Sequence, residues 1–156
     1  TGDILIEADN IARKIINDLD MVGVLAVEMF VTKQGKVLVN EIAPRPHNSG
    51  HQTIEANVTS QYEQHLRCIL GLPLGDTTII LPSAMVNLLG EEGHSGPARY
   101  QGFAEVLGMP GVHVHLYGKH FTKPFRKMGH VTIMDADEES LKKKTNFVKT
   151  TLKVIT

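Results

Sequence analysis

The chain has 156 residues, of which 42% are hydrophobic, and its formal net charge at pH 7 is −1. A domain of this length removes about two-thirds of its unfolded surface from water, so the chain can bury a core. The small net charge does not attract nucleic acid or membranes, and no apolar run approaches the roughly 20 residues of a membrane span. The single cysteine, Cys68, excludes an internal disulfide. We expect a cytoplasmic protein that binds neither nucleic acid nor a membrane.

The first predicted elements are a helix over residues 9–19 and a strand over residues 22–31. In the helix, apolar residues recur on one face, which should pack on the next segment of the chain, and Asp3 or Asp9 could begin it. The strand, VGVLAVEMFV, is almost continuously apolar and should be buried on both faces. Glu28 interrupts it, either as an outward-facing carboxylate or as a paired or metal-binding one.

A turn at Lys33-Gln34-Gly35 leads to a second strand over residues 36–42 and completes a hairpin. Counted from a turn centre between Gln34 and Gly35, Glu28 and Glu41 are each six residues away, so they should face each other. Two uncompensated carboxylates would repel at this distance. A shared Mg²⁺, which prefers oxygen ligands, would remove the repulsion.

The second strand runs into the loop of VLVNEIAPRPHNSGH, residues 37–51. Pro44 and Pro46 remove two backbone donors, so the chain leaves the ladder and presents polar side chains on a stiff loop. These side chains are Arg45, His47, Asn48, Ser49 and His51. Together with the carboxylates, they form a set suited to phosphate and metal binding.

A capping box at Ser60 and Glu63 then predicts an amphipathic helix that ends at Gly71. His65 and Arg67 either reach toward a phosphate or lie on a partly exposed face of this helix. Residues 75–82 lead into a second part of the chain. This part is predicted to contain a strand over residues 83–89, a short helix over residues 101–107 and a terminal helix capped by Asp135 or Asp137.

Two features of the second part could bind ligands. His113 and His115 lie on one face of a predicted strand over residues 112–117, but two ligands on one strand are insufficient for structural zinc. Residues 117–130 gather four cations, between strands over residues 112–117 and 130–134: Lys119, Lys123, Arg126 and Lys127. This loop is either a solvated basic turn or an anion-binding loop held by its strands.

Several separated blocks together resemble one family. VEMF, VNEIAPRPHNSGH, SQYEQHLRCILGLPLG, MVNLLG, YGK and RKMGH are similar to the closing half of the ATP-grasp domain and the small C-terminal domain of N5-carboxyaminoimidazole ribonucleotide synthetases of the PurK type. The resemblance implies ATP and Mg²⁺ as cofactors, with 5-aminoimidazole ribonucleotide (AIR) and bicarbonate as substrates. It also implies a homodimer.

The resemblance also implies a role for each matching residue. Glu28 and Glu41 would bind Mg²⁺, and Asn40 and Glu41 would lie at the nucleotide phosphates. Arg45 would stabilise a carboxyphosphate derived from bicarbonate, and His47 and Asn48 would act beside it as catalytic residues. The ribonucleotide would be bound by Ser49, Lys119 and Arg126.

The expected fold is α/β of the α+β kind. Residues 1–75 would form the C-terminal part of an ATP-grasp domain with an antiparallel hairpin, and residues 76–156 a small β-rich domain with a terminal helix. No glycine-rich phosphate loop or adenine-binding segment is recognisable, so the isolated chain should not turn over ATP. The alternatives are a formate-dependent glycinamide ribonucleotide transformylase, whose corresponding loop is similar, and a non-catalytic binding or dimerisation module.

Overall fold

A computed structural model of the chain describes residues 2–156 and contains both helices and antiparallel strands. This mixed content agrees with the predicted α+β class. The described residues include no helix long and apolar enough to cross a membrane. The chain divides into two compact units. The first contains the residues up to Gly50 together with Thr59–Asp76, and the second contains His51–Val58 and Thr77–Thr156.

The first unit consists of two helices and a hairpin. Its elements are α1 (Gly2–Asp18), β1 (Ala26–Val31), β2 (Val37–Ala43), a 3₁₀ turn (Asn48–Gly50) and a second helix (Gln61–Ile69), which we call α3. As predicted, α1 packs against both strands. It begins earlier than residue 9 because Ile4 and Ala8 extend the half-buried face of the helix by two turns.

The prediction of a strand over residues 22–31, buried on both faces, is wrong. Residues 22–25 are not in a strand, and Phe30 and Val31 are 60% and 53% exposed. The physical reason is that β1 pairs only with β2, in a two-stranded sheet. Among the described residues of this unit, only Val37 and Ala43 are buried apolar residues.

The helix α3 begins as its sequence predicts. The Ser60 hydroxyl oxygen accepts the backbone N–H of Glu63 at 3.2 Å. Gly71, at φ +65°, lies just beyond the helix and donates its N–H to the Cys68 carbonyl. His65 and Arg67 have local partners: His65 Nδ1 accepts the N–H of Val24 at 3.1 Å, and Arg67 donates to Glu63 and to the Pro73 carbonyl. These contacts favour a structural role for both residues.

The second unit is built on a three-stranded antiparallel sheet in the order β3-β8-β6. Its elements are α2 (Thr53–Ala56), β3 (Ser83–Leu89), β4 (Gly96–Pro97), β5 (Arg99–Gln101), α4 (Phe103–Leu107), β6 (Val112–Leu116), β7 (Phe121–Thr122), β8 (Lys127–Met134), α5 (Glu138–Thr151) and β9 (Lys153–Ile155). The core includes Val86, Val131 and Ile133 of the sheet with Val106 of α4 and Val148 of α5.

Most predicted elements of this unit are present. The strand over residues 83–89 is confirmed, and Asp137 caps α5 by accepting the N–H of Ser140 at 2.7 Å. β8 begins at Lys127, three residues before its predicted start. The short strand β9 was not predicted and pairs with β5.

The compact units differ from the predicted domains 1–75 and 76–156, and that division remains a prediction. The difference lies in residues 51–58, which pack with the second unit because backbone hydrogen bonds join them to residues 77–80. Val58 donates to the Thr78 carbonyl at 3.0 Å, and Ile80 donates to the Ala56 carbonyl at 2.7 Å.

Candidate functional site

The hairpin places Glu28 and Glu41 directly opposite each other, as their positions in the sequence predict. However, the turn lies at a different position from the one assumed in the prediction, which placed its centre between Gln34 and Gly35. The hairpin loop is Lys33-Gln34-Gly35, closed by a hydrogen bond from the Thr32 N–H to the Lys36 carbonyl at 2.9 Å. Gly35 adopts φ +82°, the left-handed conformation that ends three-residue hairpin loops. The turn is therefore centred on Gln34, and a regular ladder would pair Glu28 with Asn40.

A β-bulge at Asn40 restores the pairing of the two carboxylates. Met29 pairs with Val39, whereas Glu28 pairs with Glu41, so Asn40 is the extra residue in β2. Bulges of this kind bend a strand and redirect its side chains. The Asn40 amide lies 3.5 Å from Glu28 Oε2, at the long limit of a hydrogen bond. Asn40 thus lies beside the carboxylate pair.

His47 is the third member of the cluster. Its Nε2 lies 3.4 Å from Glu28 Oε1 and 3.6 Å from Glu41 Oε1, and its side chain is only 12% exposed. On the other side of the ring, Nδ1 lies 2.8 Å from Ser49 Oγ and accepts the Ser49 N–H at 3.4 Å. Because Nδ1 is an acceptor, the neutral ring carries its proton on Nε2, facing the carboxylates.

The two carboxylates of this cluster are the donors of a metal site, whereas the protonated Nε2 of His47 is not a ligand atom in this tautomer. One carboxylate oxygen of Glu28, one of Glu41 and one ring nitrogen of His47 lie within 4.8 Å of one another, and no other such group of acidic, histidine or cysteine side chains occurs in residues 2–156. Within residues 2–156, neither carboxylate forms an ion pair with a lysine or arginine. Two carboxylates without a basic partner fit a hard divalent cation such as Mg²⁺.

Gln61, which the sequence did not indicate as a site residue, holds the His47 loop. Its Oε1 accepts the His47 N–H at 2.8 Å, and its Nε2 donates to the His47 carbonyl at 2.8 Å. Gly50 permits this approach, since a Cβ there would lie 2.6 Å from Gln61 Oε1. The only signals in the sequence are this glycine and a polar side chain in the first turn of α3.

The remaining predicted residues of this loop are more open to solvent. Arg45 is exposed and donates to the Pro46 carbonyl at 3.0 Å. Asn48 and Ser49 lie in the 3₁₀ turn, which is closed by the Gly50 N–H bonding to the His47 carbonyl at 3.0 Å. The structure therefore brings Glu28, Asn40, Glu41, His47 and Ser49 together, and it leaves the guanidinium of Arg45 at the surface.

The other two predicted site residues, Lys119 and Arg126, lie in the second unit between β6 and β8. Lys119 Nζ donates to the Lys127 carbonyl, and Arg126 Nη1 donates to the Phe121 carbonyl at 3.0 Å. Gly90 fixes the loop through two backbone hydrogen bonds of 2.9 Å, one with Phe125 and one with Arg126. The strands β6 and β8 flank this basic loop, as predicted, and its anion-binding role remains a prediction.

A layer of histidines lies on the same unit's sheet. His130 is 2% exposed, and its ring lies 4.5 Å from that of His115 and 4.8 Å from that of His51. Burial and the two neighbouring imidazoles lower the pKa of His130 to about 4, although Glu55 opposes them. His115 Nε2 lies 2.7 Å from Glu55 Oε1. A zinc site at His113 and His115 is not supported by any group of converging ligands in the described chain.

Known proteins match the chain in two regions. Residues 1–62 match the family model of the ATP-grasp domain, and residues 83–144 match that of the phosphoribosylaminoimidazole carboxylase C-terminal domain. The chain is 48% identical over 133 residues to the N5-carboxyaminoimidazole ribonucleotide synthase of Bacillus subtilis, a match that covers 85% of this chain and 33% of the relative. Both matched regions are therefore similar to N5-carboxyaminoimidazole ribonucleotide synthetases of the ATP-grasp type.

Solved structures of the synthetase family are similar across both units. The synthetase from Thermotoga maritima is 54% identical, with a TM-score of 0.89, and the match covers 96% of this chain and 41% of that one. The enzyme from Aspergillus clavatus, solved with ADP and 5-aminoimidazole ribonucleotide, is 34% identical with a TM-score of 0.82, over 96% of this chain and 40% of its own. The chain spans about a third of the length of the curated synthetases it matches.

The predicted synthetase residues fall into both matched regions. The carboxylate pair, Asn40 and the loop from Arg45 to Ser49 lie in the ATP-grasp region, and Lys119 and Arg126 lie in the C-terminal region. Their individual roles remain predictions.

Proposed function

We propose that the complete protein containing this chain is an ATP-dependent ligase that carboxylates AIR with bicarbonate. The products would be N5-carboxyaminoimidazole ribonucleotide, ADP and phosphate. The single observation that supports this most strongly is the Glu28, Glu41 and His47 cluster within an ATP-grasp sequence, because its two carboxylates have no Lys or Arg partner in residues 2–156 and so suit a nucleotide-bound cation. The resemblance also supports a cytoplasmic homodimer as part of this proposal.

The reaction has two steps. An oxygen of bicarbonate attacks the γ-phosphorus of ATP, the bond to the ADP oxygen breaks, and carboxyphosphate forms. The amine nitrogen of AIR then attacks the carboxyl carbon, the bond to the phosphate oxygen breaks, and the nitrogen loses a proton. In such phosphoryl transfer the protein contributes positioning and charge stabilisation.

The residues of the first unit would act on the phosphates and the carboxyl group. Glu28 and Glu41 would hold Mg²⁺, which would offset the negative charge of the ATP phosphates, and Asn40 would lie beside them. His47 would orient both carboxylates through its Nε2 proton. Arg45, which donates one described hydrogen bond, to a backbone carbonyl, keeps other N–H groups for carboxyphosphate.

Each matched region offers polar groups that the resemblance assigns to the ribonucleotide. Asn48 and Ser49 offer an amide and a hydroxyl on the 3₁₀ turn, and Lys119 and Arg126 offer cations for the phosphate of the ribonucleotide. The backbone hydrogen bonds that fix the basic loop would lower the entropic cost of ordering these cations.

The test is acceptor-dependent ATP turnover by the complete protein, with and without the Glu41→Gln substitution. We expect phosphate release that requires both bicarbonate and AIR, and a loss of about 100-fold or more in Glu41→Gln with a raised Mg²⁺ requirement. Glu63→Gln, on the exposed side of α3, should retain activity. We expect the isolated chain to show no turnover.

Other outcomes would overturn the proposal. Turnover that requires glycinamide ribonucleotide and formate would assign the protein to the related transformylase. Absence of turnover with every acceptor would favour a binding module.

A further inference from the structure

The sheet of the second unit has one polar face. Asn87, His130 and His115 lie in register on β3, β8 and β6, so their side chains share the face opposite Val86, Val131 and Val114. The segment His51–Val58 packs with this unit, contributing the His51 ring against His130 and the Glu55 carboxylate against His115. His130 lies at the centre of this layer and is buried, whereas the residues around it are partly exposed.

Tyr117 extends this layer into the basic loop. Its hydroxyl lies 2.9 Å from His130 Nδ1, and its backbone N–H donates to the Met128 carbonyl at 2.9 Å, so both ends of the residue are fixed. The ammonium of Lys119 lies 5.6 Å from the centre of the Tyr117 ring, within the range of a cation–π interaction. The same ammonium donates to the Lys127 carbonyl. Two contacts therefore define the position of Lys119 Nζ.

We propose that Tyr117 and His130 are positioning residues that hold the Lys119 ammonium ready for the phosphate of the ribonucleotide. This inference rests on the proposed function, and it assigns a role to two residues that do not themselves touch the substrate. His130 fixes the hydroxyl of Tyr117, the Tyr117 ring supports the ammonium, and the Lys127 carbonyl sets its direction. A lysine without such support would lose the freedom of a long, flexible side chain on binding.

The charge state of the layer is consistent with this role. The groups that face His130 are the imidazoles of His115 and His51, the Glu55 carboxylate and the Tyr117 hydroxyl. The lowered pKa of His130 keeps its ring neutral at pH 7. A neutral His130 ring holds the Tyr117 hydroxyl without adding a positive charge to this layer. Such a charge would repel the Lys119 ammonium.

The experiment is a double-mutant cycle in the complete protein, with Tyr117→Phe, Lys119→Ala and the double variant. Tyr117→Phe keeps the ring but removes the bond to His130. We expect it to raise KM for AIR about fivefold, with kcat and KM for ATP unchanged. Lys119→Ala should raise KM for AIR about tenfold or more. In the Lys119→Ala background, Tyr117→Phe should change KM for AIR less than about twofold.

Tyr100→Phe is the matched control, because Tyr100 packs against the core of the same unit and should tolerate loss of its hydroxyl. An unchanged KM in Tyr117→Phe, an equal rise in KM for ATP, or a fivefold effect that persists without Lys119 would overturn the inference alone. Wild-type kinetics in Lys119→Ala would instead overturn the assigned role of Lys119 and the inference together.

Discussion

Gln61→Ala is the substitution that most sharply tests how the candidate site is held together. It removes both hydrogen bonds between α3 and the backbone of His47, each 2.8 Å long. A neutral hydrogen bond contributes about 1 kcal/mol, so the loss is about 2 kcal/mol. This shifts the equilibrium of the loop toward released forms by about thirtyfold. The loop is mostly closed in the wild-type protein, so only part of this shift appears as a loss of the closed form. We therefore expect kcat/KM for the AIR-dependent reaction to fall about tenfold.

The same helix offers a matched control. Gln64 makes an equivalent pair of bonds, accepting the Gly75 N–H at 3.0 Å and donating to the Gly75 carbonyl at 2.7 Å. Gln64→Ala should therefore lower stability by a similar amount without changing kcat/KM by more than about twofold. Gln61→Glu should have an intermediate effect, because its carboxylate still accepts the His47 N–H but cannot donate to the carbonyl.

The assay is steady-state phosphate release by the complete protein, together with chemical unfolding of each variant. If Gln61→Ala and Gln64→Ala lost equal stability and equal activity, the loss would reflect general destabilisation. The reasoning about His47 would then be wrong.

Two further predictions concern the second unit. The lowered pKa of His130 means that its stabilising contribution is fully present above about pH 6.5 and is lost as the pH falls toward about 4. The free energy of unfolding, measured over this pH range, should fall by up to about 3 kcal/mol in the wild-type protein. His130→Gln should abolish this fall. If the variant kept the same pH dependence, the fall would not arise from His130. Gly90→Ala should destabilise the unit by about 2 kcal/mol and raise KM for AIR, since the new Cβ would lie 2.1 Å from the Lys123 carbonyl oxygen. Gly108→Ala, whose nearest contact would be 3.6 Å, is the control, and equal thermal stability of the two variants would refute the steric argument.

Local signals in the sequence predicted much of the hairpin and of α3. The turn at Lys33-Gln34-Gly35 and the apolar strands predicted the hairpin, and Ser60 with Glu63 predicted the start of α3. The pairing of Glu28 with Glu41 was also predicted, but from a count that placed the turn centre half a residue too late and missed the bulge at Asn40. The resemblance added the residues of the basic loop, which the sequence alone could equally assign to a solvated turn.

The remaining features depend on contacts between distant residues. The bulge at Asn40 has no glycine or proline to mark it, and it shows only in the pairing of the two strands. The Gln61 hydrogen bonds to His47 and the ring contact between His51 and His130 join residues that are 14 and 79 positions apart in the sequence. Such pairs have no local periodicity, so pattern analysis of one sequence does not reveal them.

The central claim is that the complete protein forms carboxyphosphate and transfers its carboxyl group to AIR. It is tested most directly by running the reaction with bicarbonate labelled with oxygen-18 and analysing the released phosphate by mass spectrometry. The account predicts one labelled oxygen in each phosphate, because the bicarbonate oxygen that attacks ATP stays with phosphorus when the carboxyl group is transferred. AIR-dependent release of unlabelled phosphate, or release that needs no bicarbonate, would contradict it.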